Sequence, residues 1–96
     1  MGNLMRDMLG QELSKGDLVA FASPRGSNSR QRIAVVVDPD KKSVFSLYTY
    51  RIGNELQYVY STRPGHGVSE YKLVLLDRDM YEDLYASLRE KVAKWL

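Results

Sequence analysis

At 96 residues, with 44% hydrophobic and 27% charged content, the chain has the composition of one ordinary globular domain and is too short for a second core. It has no cysteine, which excludes disulfides, zinc-thiolate sites, iron–sulfur clusters and a thiol nucleophile, and fits a reducing, cytoplasmic setting. A net charge of +2 is too small to choose a partner by itself, but residues 23–76 hold eight Lys/Arg against four acids, whereas acids prevail from Asp77 onward.

In chain order, residues 17–22 (DLVAFA) follow Lys15-Gly16 and read as a first strand. Residues 23–32 (SPRGSNSRQR) read as a basic, serine-rich loop. The β-branched run IAVVVD, residues 33–38, is a second strand, ended by a turn at Asp38-Pro39-Asp40-Lys41. Residues 43–50 (SVFSLYTY) alternate, with Phe45 and Leu47 facing in and Tyr48 and Tyr50 facing out. Gly53-Asn54 reverses the chain, and residues 56–61 (LQYVYS) return as the fourth strand of a hairpin. After a Pro/Gly-rich loop containing His66, residues 71–76 (YKLVLL) form a fifth strand.

The period then changes from two to 3.6. Met80, Leu84, Leu88 and Val92, flanked by Tyr81, Tyr85 and Trp95, predict an amphipathic helix over residues 79–96, with Asp79 and Glu82 as a capping box. The helix is expected to close one end of the β unit, and any apolar stripe left over would drive homodimerisation. Leu4, Met5, Met8 and Leu9 can pack in the same way. No apolar run is long enough to span a membrane as a helix.

Five short strands with tight connections can curl into a small barrel. The stretch Leu9-Gly10-Gln11-Glu12-Leu13-Ser14-Lys15-Gly16-Asp17-Leu18-Val19-Ala20-Phe21, followed by a basic loop and Arg32-Ile33-Ala34-Val35-Val36-Val37, resembles the opening of SH3-like barrels of the KOW and Tudor kind. The resemblance spans residues 9–76 and implies a mainly β, five-stranded SH3-like barrel with an added C-terminal α-helix, all within a single domain. It also implies a binding face at the basic loop.

No phosphate-binding, dinucleotide, nucleophile-elbow or His-Glu-x-x-His motif is present, and His66 has neither a catalytic partner nor further metal ligands in the pattern. The chain is therefore expected to work without catalysis, metal or cofactor. The nucleic-acid contacts expected, to DNA or RNA, are Arg25, Ser27, Asn28, Arg30, Arg32, Lys41, Lys42, Arg51 and Arg63, residue types that grip phosphate without reading bases. The alternative is a protein-interaction module, with Tyr48, Tyr50, Tyr81 and Tyr85 as apolar anchors. In its build the chain is similar to small bacteriophage and bacterial accessory proteins that regulate or inhibit a host protein. Tyr48, Tyr50, Tyr58 and Tyr60 lie on neighbouring strands and form either a stacking platform or part of the core.

Overall fold

The computed structural model describes residues 5–25 and 28–96, and within these the side chains of all but residues 23–25, 28–30, 50 and 56. Two very short strands, β1 (Met5–Arg6) and β2 (Glu12–Leu13), pair with each other. Five more build an antiparallel sheet: β3 (Leu18–Arg25), β4 (Asn28–Asp38), β5 (Ser43–Ile52), β6 (Glu55–Tyr60) and β7 (Val74–Leu75), in spatial order β6-β5-β4-β3-β7. The C-terminal helix α1 spans Glu82–Val92. The protein is thus mainly β with a C-terminal helix. The sheet is open, with β6 and β7 as its two edges, and no ladder between them closes a barrel.

In the run Ile33–Val37 that composition marks as core, Ala34–Val37 are buried on both faces and Ile33 is half-buried, which is why it lacks polar alternation. Ala34 and Val36 point to one side, where Val19 and Val44 extend the layer and Met5, Leu13 and Leu73 cover it. Val35 and Val37 point to the other with Leu18, Phe45 and Leu47, and there Leu88 and Val92 of α1 seal the face. Each such fully buried aliphatic contributes about 1.5–3 kcal/mol relative to exposure. The order is therefore N-terminal hairpin, sheet, helix. The helix covers a face of the sheet rather than an end of a barrel.

The turns follow their residues. Asp38 Oδ1 accepts from the Asp40 amide at 3.1 Å, and Lys42 N–H donates to the Pro39 carbonyl at 3.2 Å, closing the β4–β5 turn. Gly53, first in the two-residue β5–β6 loop, has φ of 64°, as a type II′ turn requires. Gly16, with φ of 92°, lets its amide reach the Val36 carbonyl at 2.8 Å while the Asp17 carbonyl accepts from Val36 N–H at 2.9 Å.

Three expectations are revised. The basic segment is strand over its described residues: β3 runs on to Arg25 and β4 starts at Asn28, the two pairing from Leu18↔Val35 to Arg25↔Asn28, with residues 26 and 27 outside the described part. The fifth strand shrinks to two residues, because Glu70–Lys72 winds into a 3-10 turn first. The helix start is capped by Asp77, whose Oδ1 accepts from the Asp79 amide at 2.9 Å, and a 3-10 turn (Arg78–Tyr81) precedes α1. The expected N-terminal packing holds for Met5, which is fully buried. Met8 and Leu9 are exposed, and Leu4 lies outside the described residues.

Candidate functional site

Strand direction sorts the basic residues. β4 begins and β5 ends at the same edge of the molecule, so the β3–β4 and β5–β6 hairpins point the same way, carrying Arg25, Arg30, Arg32 and Arg51 together. Asn28 opens β4 at that end; Ser27 lies outside the described residues, as do the side chains of Arg25, Asn28 and Arg30. Pairing between β4 and β5 reaches Arg32↔Tyr48 and goes no further, although β4 continues back to Asn28 and β5 on to Ile52. From that pair outward the sheet divides into two two-stranded arms. β4 alone, at 11 residues, is roughly 35 Å long, a large part of the 48 Å long axis.

Lys41, Lys42 and Arg63 belong to the other end, in the β4–β5 turn and the segment after β6. Lys42 is engaged there: its Nζ lies 2.6 Å from Glu70 Oε1, and Glu70 Oε2 accepts from the Arg6 amide at 2.7 Å. The bond to Glu70 raises the Lys42 pKa, and the same bond, with the Arg6 amide, lowers that of Glu70. This trio ties the β4–β5 turn to β1 and the 3-10 turn. The nine residues expected to hold a polyanion therefore do not form one patch.

Arg32 differs from the exposed arginines. It is half-buried where the arms part, its guanidinium carbon 5.4 Å from the Tyr48 ring centroid. Nη1 donates to Ser46 Oγ over a long 3.4 Å, and Ser46, itself buried, shares a hydrogen bond of 3.2 Å with Ser61 Oγ. Arg32 Nε is sealed from solvent with no acceptor among the described residues. All twelve carboxylate side chains lie within the described part, and the ion pair among them is Lys42–Glu70, so Arg32 has no counter-ion. Phe21 stands opposite it on β3, and Val59 opposite Tyr48 on β6. Basic composition alone did not single out Arg32. Alternation with Ile33 could have, because Ile33 packed on the helix side puts its neighbour on the other face.

The tyrosines separate. Tyr48 pairs with Val59 and Tyr58 with Thr49, so Tyr48 lies on the face away from α1, whereas Tyr58 and Tyr60 lie on the helix side. The four tyrosines of the hairpin do not make one platform; the side chain of Tyr50 lies outside those described. Tyr60 is half-buried, bonded to Ser87 of α1 through the two hydroxyls and approached by Lys91. Tyr85 is also held internally, donating to the Gly16 carbonyl at 3.1 Å and accepting from Arg78 Nη1 at 3.1 Å. Tyr81, 42% exposed, shares a hollow of about 420 Å³ with Tyr58 and Met80.

His66 is exposed in its loop. Among the described residues no three His, Asp or Glu converge as metal ligands, and no helix is long and apolar enough to cross a membrane. No curated protein and no solved structure matches the chain. Residues 5–71, from β1 to the 3-10 turn before β7, match the family described as a domain of unknown function, DUF7205, and the chain belongs to that family.

Proposed function

We propose that this protein is a non-enzymatic, SH3-like binding module that holds nucleic acid, DNA or RNA, between and along its two hairpin arms. The observation that carries the reading is the placement of Arg25, Arg30, Arg32 and Arg51 at one end of the sheet by strand direction. Glu55 is the acid on the strands at that end, so the local field there is positive despite the low net charge. Contacts of this kind are electrostatic and tolerant of sequence. The meander order, in which the last strand returns beside the first, supports the SH3-like assignment.

Fluorescence anisotropy with labelled single-stranded DNA, duplex DNA and RNA tests the reading. Binding should weaken steeply with salt and be lost in the combined Arg25→Ala, Arg30→Ala, Arg32→Ala protein. Absence of binding at low salt would refute it. A second reading, a protein-docking module, is favoured by Met80 at 73% exposed beside Tyr81 and Tyr58. That reading predicts that Tyr81→Ala, and not the arginine variants, abolishes association with the partner.

A further inference from the structure

Arg32 is built into the sheet in a way that charge alone does not explain. An arginine that only supplies positive charge stays in water, keeps its donors hydrated and tolerates lysine in its place. Arg32 instead lies against the Tyr48 ring and, among the described residues, has Nε shut off without an acceptor and one long bond, from Nη1 to Ser46. A half-buried guanidinium without a carboxylate is costly, and such groups in a native fold call for an explanation. Tyr48 and the Ser46–Ser61 pair fix the plane of the group. Nε is sealed and Nη1 is partly engaged, so the terminal Nη edge is the part left to meet a ligand.

We propose that Arg32 is a fixed, end-on phosphate contact at the fork of the two arms, taking two oxygens of one backbone phosphate through its Nη1 and Nη2 hydrogens. This rests on the nucleic-acid reading above. It adds to that reading one geometrically defined anchor among otherwise diffuse contacts. The guanidinium fork matches any flat pair of oxyanion oxygens, a carboxylate included. Phosphate is favoured because Arg25, Arg30 and Arg51 continue the positive charge along the arms, which suits a ligand that repeats its charge along a chain. The Phe21 and Val59 side chains beside the fork also offer apolar and aromatic surface that unpaired bases pack against. Ser46 acts as a positioning residue: it holds Nη1 and does not itself meet the phosphate.

The test is Arg32→Lys, which keeps the charge and removes the fork. Binding of a labelled oligothymidylate at fixed salt should weaken by about tenfold, with the salt slope unchanged, while Arg89→Lys on the exposed side of α1 has no effect. Oligonucleotide binding by Arg32→Lys within about twofold of wild type would overturn the anchor and leave the electrostatic reading standing. No binding of the oligonucleotide by the unmodified protein would overturn both. Displacement of the oligonucleotide by polyglutamate as effective as by polyphosphate would overturn the assignment to phosphate. Should the lysine variant melt early, the Nε–H resonance of Arg32 in the unmodified protein gives an independent readout. It should move on titration with the oligonucleotide, and a static resonance at saturation would overturn the anchor.

Discussion

Asp7→Asn isolates one buried carboxylate on which three elements converge. Asp7 is 5% exposed, and its two oxygens accept four hydrogen bonds: Oδ1 from the amides of Leu9 (3.0 Å) and Gln11 (2.8 Å), Oδ2 from Gln11 Nε2 (3.2 Å) and the Leu75 amide (3.0 Å). The last of these ties the N-terminal hairpin to β7. Burial pushes the pKa of Asp7 up, but the amides of Leu75, Gln11 and Leu9 and the Gln11 side chain together outweigh it, and the net shift is downward. Asparagine keeps the shape and one acceptor. Its amide nitrogen, placed at Oδ2, would face two donors. Gln11 can turn its side chain to offer oxygen, but the Leu75 amide cannot, and an unsatisfied buried N–H costs about 1–3 kcal/mol. The two bonds that remain lose charge assistance, roughly 0.5–1 kcal/mol each. The expected loss is about 3 kcal/mol at neutral pH, or on the order of 15 °C in Tm for a domain of this size. Urea denaturation at several pH values checks both the magnitude and its origin. The folded-state pKa is depressed, so the stabilisation is fully present above the unfolded carboxylate value near ~3.9 and is lost as pH falls through the lower, folded value. The gap between wild type and variant should therefore narrow in acid. A loss below about 0.5 kcal/mol at pH 7, where surface substitutions fall, or a gap that widens in acid, would refute the reasoning.

Leu88→Ala removes a side chain with no exposed surface from the helix–sheet layer and should cost about 2–5 kcal/mol by chemical denaturation; a smaller loss would show that α1 is not seated on the sheet. Gly16→Ala places a β-carbon 3.9 Å from the Tyr85 hydroxyl, an ordinary contact, so its cost is the left-handed backbone alone, about 1–2 kcal/mol. A D-alanine at that position, introduced by chemical synthesis, should restore stability.

The sequence made some of this architecture legible because the residues concerned settle their own conformation. Gly53-Asn54 sets its turn, Phe45 and Leu47 alternate onto the face that the helix covers, and Leu84, Leu88 and Val92 repeat at helical spacing. Other elements depend on partners remote in the chain. The polar outer halves of β3 and β4 carry no apolar alternation, so their strand character comes from pairing with each other, and composition reads them as loop. β1, β2 and β7 have two residues each, too few to show a period. The spacing to Glu82 points to Asp79 as the cap in the sequence; the cap falls on Asp77 because the helix is entered through a 3-10 turn. The candidate site was half visible. Its arginines stood out, but their division between two ends, and the distinct setting of Arg32, follow from register and strand direction.

The same register separates stability from binding. Burial of both sheet faces involves β3, β4 and β5 inward of Arg32↔Tyr48, where α1 and the N-terminal hairpin pack. Beyond that pair the described contacts of the arms are the hairpin pairing and the hollow that Tyr58 shares with Met80 and Tyr81, and the fully buried strand residues of the two core clusters lie inward of it. Substitutions in the outer arms should therefore remove little of what holds the fold. Combining Arg25→Ala, Arg30→Ala and Arg51→Ala is expected to shift the urea midpoint by no more than about 0.5 kcal/mol equivalent, the range of surface changes, while binding to oligonucleotide collapses. Leu88→Ala should do the reverse, lowering stability while the protein that remains folded binds with unchanged affinity. If the arginine variant unfolds early, the arms are part of the cooperative core, and their reading as a binding extension of the sheet fails.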